Sequence, residues 1–428
     1  MKEKLLSKEV KVLSHTFSPG KILLHPLFSG SFIMIFGSNF ANLISYLYHL
    51  ILGRMMGPAS YGELVAAISL IALIMSVVSF FGLVIVKFVS SASTDETPAI
   101  LDWFNRKTIR TGLLMAVIIF LASPLIGGYI HLSKNISLLF APILFVSIVS
   151  YVYKAFLQGS VKFKEMVIVT NIEGLARLVF GILFVVVNMS VFGAVLGILI
   201  SGVCGMFLAK YYLKNTGFVK KDVIVFDWKK VFSYAFPVFI VSASFTSLLT
   251  ADLIIVKHFF SSYDAGIYGS VSNLGKIIFY GVSPIGSVMF PLIAKKKSKN
   301  ENILKIFILS AILLLLIGFG VLFLYYLFPK AAVNILYGEK YLEGSKYLLL
   351  MGLYYVFYSF ANLITSFLLS IDMIKPLTLI PAFAVLQIVL IYVFHNTIGV
   401  VIGSSVVSVS LLLLYLGLYF AYAKAKIS

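Results

Sequence analysis

Leu52-Gly53-Arg54-Met55-Met56-Gly57-Pro58-Ala59-Ser60-Tyr61-Gly62-Glu63-Leu64 separates an apolar run over 27–51 from a second over 64–88. A related stretch, Ser261-Ser262-Tyr263-Asp264-Ala265-Gly266-Ile267-Tyr268, follows the apolar run 231–256. In both, a short turn closes on a glycine that opens the next run, and Gly62 and Gly266 stand 204 residues apart. A weaker echo pairs Phe156-Leu157-Gln158-Gly159, then Lys162 and Lys164, with Leu368-Leu369-Ser370-Ile371, then Lys375. Apolar helices resemble one another by chance, so the matched loops carry the repeat. Six runs separate the copies. Two halves of equal orientation follow, related by an axis along the membrane normal.

Outward from these turns, the composition is that of a membrane protein: 61% hydrophobic, 12% charged, mean hydropathy +1.05 over 428 residues. A soluble domain carries about 25% charged residues. Runs of about twenty apolar residues, each able to cross ~30 Å of hydrocarbon as a helix, recur as spans 27–51, 64–88, 109–130, 137–158, 166–188, 191–212, 231–256, 266–293, 303–328, 346–370, 376–395 and 398–422. This predicts an all-α polytopic protein of about twelve spans. The expected organisation is a basic leader over 1–26, a six-helix lobe over 27–212, a linker over 213–230 and a second six-helix lobe over 231–428.

The net charge of +18 invites a nucleic-acid reading, but its distribution opposes one. Of 34 Lys and Arg, 25 fall on one side of the twelve-span arrangement and six on the other. That asymmetry is the positive-inside pattern, and it places both termini in the cytoplasm of a cell membrane. The lysine-rich leader lacks the apolar core of a signal peptide. It reads equally as a surface-lying amphipathic helix or as a solvated tail. The single cysteine, Cys204, lies within a span and excludes an intramolecular disulfide.

The turn 52–62 resembles the first-turn signature of Wzx-type polysaccharide-export flippases, in the multidrug/oligosaccharidyl-lipid/polysaccharide exporter superfamily. Asp252-Leu253-Ile254-Ile255-Val256-Lys257 with Tyr263–Tyr268 is similar to that family's seventh-span motif. Leu157-Gln158-Gly159, Lys162-Phe163-Lys164 and Asn171-Ile172-Glu173-Gly174-Leu175-Ala176-Arg177 agree as well. The resemblance covers nearly everything after residue 25. Ser261-Ser262 departs from it, where Gly-Pro is usual, as does the long leader. It implies a MATE-like fold: two six-helix lobes around a central cavity that opens alternately to each side. It also implies a polyprenyl-pyrophosphate-linked oligosaccharide as cargo.

An ionisable group at membrane depth costs ~2.5–3.5 kcal/mol on insertion scales, so each one present needs a reason. Lys276 shares a narrow helical face with Ser272, Tyr280, Ser283 and Ser287. That face suits a hydrated cavity, where the lysine attracts pyrophosphate; the competing reading is snorkelling or a pair with Asp252. Asn39, Asn42, Tyr46 and His49 form a comparable stripe, serving either the cavity or interhelical hydrogen bonds. Arg54 is a candidate gate or sugar-phosphate attractor, and Lys87 a candidate pyrophosphate contact from the cytoplasmic side; solvation and snorkelling compete with these roles. Glu173 and Arg177, at i and i+4, are expected to pair on one helix, with ion coupling as the second reading. Asp252 is a candidate ion-coupling carboxylate, set against a lasting pair with Lys257 or Lys276. Tyr354, Tyr358, Asn362 and Thr365 share one face, as do Ser147, Tyr151, Lys154 and Gln158. Tyrosines on such faces either stack on sugars or simply pack.

No Walker motif, hydrolase triad or clustered metal-ligand set occurs, so no cofactor is expected, and energy must come from an H+ or Na+ gradient or from cargo consumption. Embedded cations (Lys87, Arg177, Lys276) exceed embedded acids (Glu173, Asp252), which favours anionic cargo over a drug/cation antiporter. A polysaccharide polymerase or ligase needs a large external loop, and the longest here, 329–345, is too short. A peptidoglycan-precursor flippase shares the mechanism but typically has extra terminal spans. Expected partners are the bilayer, a lipid-linked oligosaccharide, and polymerases or glycosyltransferases of the same pathway.

Overall fold

The computed structural model describes residues 26–91, 97–214, 228–297 and 303–427. The leader up to residue 25 and linker residues 215–227 lie outside the described residues, and with them the amphipathic-helix expectation.

Pro26–Ser91 is helical over 66 residues, about 100 Å at 1.5 Å per residue, where a bilayer core is ~30 Å thick. Gly57 resolves the mismatch. Its φ of 75° and ψ of 172° break the helix, a conformation that a side chain disfavours. Pro58 then starts the next helix at the one position where its missing N–H is not needed. The segment is therefore two spans, α1 (26–56) and α2 (58–91). Among the described residues eleven helical segments are long and apolar enough to cross a membrane, and this one counts twice, giving twelve. The others are α3 (Thr97–Tyr129), α4 (Phe140–Gly159), α5 (Phe163–Val186), α6 (Ser190–Lys214), α7 (Trp228–Phe259), α8 (Ser262–Lys297), α9 (Leu304–Leu327), α10 (Leu348–Ser370), α11 (Ile380–Val393, counted with the 3-10 turn Lys375–Leu379 that leads into it) and α12 (Ile398–Ile427). They form two six-helix lobes, α1–α6 and α7–α12.

The helix that carries the third span begins at Thr97, ahead of the apolar run, and the exposed Asp102 and Arg106 pair one turn apart on that extension. One expectation is corrected. The segment 329–345 is not an open loop: it folds as a helix, Pro329–Tyr337, and a 3-10 turn, Glu339–Tyr347. Its Val333, Tyr337 and Tyr341 are buried and its polar residues face outward.

Large apolar side chains such as Leu121, Leu125, Leu316 and Leu418 remain uncovered, as hydrocarbon permits. The buried side chains fall into two clusters, and their division defines the conformation. The larger joins Tyr48, Leu52, Tyr61, Leu64, Val65, Phe140 and Val195 of the first lobe to Ile254, Tyr268, Val271, Tyr337 and Tyr341 of the second. All of these first-lobe residues belong to the half of the bundle that carries the Gly57 turn (the turn face). The smaller cluster is Val84, Ile85, Val89, Ile100, Phe104, Val149, Phe156, Val169, Ala209 and Leu213. It belongs to the first lobe alone, in the half where α2, α4 and α6 end (the termini face). Among the described residues the core is thus continuous between lobes at the turn face and separate at the termini face, so that the lobes are closed on the first and parted on the second.

Candidate functional site

Glu173 and Arg177 sit one turn apart on α5, yet they do not pair. Lys154, from α4, reaches Glu173 Oε2 at 2.8 Å. The carboxylate fits because α6 offers Gly205 beside it: a Cβ there would lie 2.6 Å from Oε2. A neighbouring helix thereby outcompetes the intrahelical partner, and Arg177 is released. Its Nη2 donates to Ser45 Oγ at 2.7 Å, and its guanidinium lies 4.9 Å from the centroid of the Tyr48 ring. Its Nε is buried without a hydrogen-bond partner.

Lys276 approaches the same place from α8 in the other lobe. Both Arg177 and Lys276 act electrostatically on His49, so the two cations converge on one imidazole from opposite lobes. Tyr280, one turn beyond Lys276, lies within electrostatic range of Arg177. Tyr46, on α1, places a buried hydroxyl there without a partner. Asp252 is the acid of the neighbourhood, fully buried. Its Oδ2 accepts from the Tyr268 hydroxyl at 2.6 Å and its Oδ1 from the Leu253 amide at 2.8 Å. With its oxygens so engaged, it attracts Lys276 without forming the expected pair. Nor does it pair with Lys257, whose Nζ instead donates to the His131 carbonyl at 3.3 Å. Among the described residues, the junction of the lobes thus carries the cations Arg177 and Lys276 and the carboxylate Asp252.

The remaining candidates divide. Asn39, Asn42 and Asn362 are half-buried on α1 and α10. Tyr358 is corrected from a cavity wall to lobe interior: it is buried, and its hydroxyl donates to the Phe245 carbonyl at 3.2 Å. Tyr354 likewise donates to the Leu248 carbonyl. Ser272, on the expected polar stripe of α8, is spent on the Tyr355 hydroxyl at 2.9 Å. Arg54 is exposed but engaged, donating to the carbonyls of Asn334, Ile335 and Leu336 at the end of the short helix. It therefore ties the lobes together instead of standing free. Lys87 is exposed in a cavity of about 660 Å³ on the termini face of the first lobe, with Lys154 and Gln158.

The turn-face closure was not legible as a site, although its residues are those of the repeat. The Tyr341 hydroxyl donates to the Gly53 carbonyl at 2.7 Å, Asn273 donates to the Tyr61 hydroxyl at 2.7 Å, and the Tyr61 and Tyr337 hydroxyls meet at 3.1 Å. His258 stacks on Tyr129, with ring centroids 4.0 Å apart. At the centre the two turns touch. A Cβ on Gly266 would fall 1.8 Å from the Pro58 carbonyl oxygen, and one on Gly62 would fall 2.2 Å from that of Ser262.

A family profile described as "Polysaccharide biosynthesis protein" matches residues 27–297. The chain belongs to that family. The chain is also similar to the teichuronic acid biosynthesis protein TuaB of Bacillus subtilis, 27% identical over 261 residues, which are 59% of this chain and 52% of TuaB. The chain thus aligns with about half the length of that relative. Among solved structures, an inward-facing multidrug resistance MATE transporter of the MOP superfamily superposes with a TM-score of 0.73 at 13% identity, covering 89% of this chain and 96% of the other. The lipid II flippase MurJ in an inward closed conformation superposes with a TM-score of 0.69 at 14% identity, covering 89% and 86%. The fold is therefore MATE-like, and the polysaccharide biosynthesis family member described here is a multi-pass membrane protein. The family match agrees with the resemblance read from the turn 52–62 and the Asp252–Tyr268 segment.

Proposed function

We propose that this protein is a flippase that moves a polyprenyl-pyrophosphate-linked oligosaccharide from the cytoplasmic to the outer leaflet of the cell membrane by alternating access. The observation that carries the reading is that Arg177 engages Ser45 and Tyr48 instead of Glu173, and that it and Lys276 of the other lobe both lie within electrostatic range of His49. A diphosphate leaving water needs cationic partners to offset its lost hydration, and a guanidinium and an ammonium from opposite lobes supply them. The same pair repels a cationic drug, which weighs against the antiporter reading. The headgroup enters from the termini face, where the lobes are parted, while the polyprenyl chain stays in lipid. Rocking about the central axis then parts the turn face and releases the headgroup outside. Asp252, buried beside Lys276, is the carboxylate suited to couple an H+ or Na+ to that movement. The chain performs no covalent chemistry. Polymerases or glycosyltransferases consume what it delivers.

Proteoliposomes loaded with lipid-linked oligosaccharide test the reading directly, with and without ion gradients. Outer-leaflet headgroup is expected to appear only when the protein is present; a protein that scrambles ordinary phospholipid equally well overturns it. The orientation has its own test. Tags at Ala59, Lys134, Tyr263 and Glu339 should report from outside the cell, and a tag at Lys297 from the cytoplasm. An external signal at Lys297 would sink the twelve-span topology.

A further inference from the structure

The 660 Å³ cavity on the termini face of the first lobe is separate from the Arg177–Lys276 junction. It is lined by Gly82, Leu83, Val86, Lys87 and Ser90 of α2, by Tyr151, Lys154, Ala155 and Gln158 of α4, and by Met166 and Thr170 of α5. Its volume lies in the range of small-molecule pockets, ~300–1,000 Å³. Its walls combine an apolar side, Leu83, Val86 and Met166, with two ammonium groups and the Gln158 amide; the hydroxyls of Ser90, Tyr151 and Thr170 donate to the carbonyls of Lys87, Ser79 and Met166. From Ser90 in to Gly82 it reaches about 12 Å along α2, and Arg177 lies about 10 Å further along α5 than Thr170.

We propose that this cavity is an entry site for a diphosphate group, ahead of the junction, and that Glu173 is its competing counter-ion. The proposal rests on the cargo reading above and adds a station to it. Lys87 and Lys154 hold the incoming diphosphate at the mouth. Lys154 is already paired with Glu173 behind the cavity wall, at 2.8 Å and with both side chains about a fifth exposed. An anion in the cavity therefore competes with a carboxylate for one ammonium. That competition keeps the hold weak enough to release, as a transport path requires. Glu173 stands between the mouth and Arg177 on α5, so the pair marks the step at which the anion passes from Lys154 to Arg177. A purely structural pair predicts the opposite effect of its removal, because losing Glu173 then loosens α4, α5 and α6 together.

The test uses the full chain in nanodiscs and inorganic pyrophosphate as the probe, in an Arg177→Gln/Lys276→Gln background that silences the junction. Lys87→Gln and Lys154→Gln are each expected to weaken residual pyrophosphate binding roughly five-fold, as for part-exposed charge contacts. Glu173→Gln is expected to tighten it by a similar factor. A polyprenyl diphosphate in the same nanodiscs should displace the probe competitively. If pyrophosphate binds but the lipid does not displace it, the site serves free phosphate and the entry role is overturned. If Glu173→Gln weakens binding as Lys154→Gln does, the pair is structural and the counter-ion role falls. If the double-variant background binds no pyrophosphate while the parent does, the cavity is not a site, yet the cargo reading survives. If the wild-type chain binds neither pyrophosphate nor the lipid, both readings fall together.

Discussion

Lys276→Ala and Arg177→Ala should each slow oligosaccharide flipping roughly ten- to a hundred-fold while leaving expression and membrane insertion near normal. Removing an embedded charge lowers the insertion cost by ~2.5–3.5 kcal/mol on translocon scales, so the variants carry no penalty in reaching the membrane. What they lose is one of two cations that act on His49 from opposite lobes. A contact between a diphosphate and a desolvated cation is charge-assisted, about 1.5–3 kcal/mol for a hydrogen bond of that class. If the loss falls on the crossing step alone, each such contact slows flipping roughly ten- to a hundred-fold. Lys276→Arg should keep partial activity, since charge matters there more than shape. Arg177→Lys should keep less, because a lysine lacks the planar fork that bonds Ser45 and lies over Tyr48 together. Lys276→Gln separates charge from length. Wild-type flipping rates in the alanine and glutamine variants would make both cations structural and remove the main support for an anionic cargo.

The sequence made the twelve spans legible because hydrocarbon thickness leaves a long, continuous signal in each one. The two matched turns were legible because a glycine where backbones meet cannot be replaced silently. The pairing inside the site was not. Helical spacing correctly places Glu173 beside Arg177, but spacing within a helix cannot register Lys154 on α4 or the room that Gly205 leaves on α6. The same blindness misplaced Tyr358. Periodicity shows that it shares a face with Tyr354, yet in a bundle a polar face can turn to a neighbouring helix as well as to a cavity, and here both hydroxyls go to α7 carbonyls. Arg54 was recognised as a boundary residue of the turn face. Its partners were hidden because the segment after Pro329 reads as a loop until Val333, Tyr337 and Tyr341 are seen to bury against the other lobe.

Gly266→Ala should trap the protein with its turn face parted. In the closed arrangement the new methyl carbon would stand 1.8 Å from the Pro58 carbonyl oxygen and 2.9 Å from Pro58 Cα. Ordinary carbon contacts lie near ~3.5–4 Å. The obstructing atoms are backbone, so no rotamer relieves the clash and one lobe must move off the other. Gly62→Ala meets the partner turn in the same way, 2.2 Å from the Ser262 carbonyl oxygen and 2.6 Å from the Gly266 amide nitrogen. Driving a two-state equilibrium from 99:1 to 1:99 takes about 5.5 kcal/mol, which is the scale of shift these variants test. Neither residue belongs to the interior of one lobe, so each lobe should still fold. Gly320→Ala, whose Cβ meets nothing within 4 Å, is the matched control. Spin labels at Ala59 and Tyr263, both exposed on the turn face, report the separation after the native cysteine, Cys204, is changed to serine. The expected result is a single, longer interlabel distance in Gly266→Ala and Gly62→Ala, with flipping lost because the cycle cannot return to the state that admits cargo. Gly320→Ala should match the parent in distance and rate. An unchanged distance distribution in Gly266→Ala, with cargo still flipped, would mean that the two turns pass without touching during the cycle and that closure is held elsewhere.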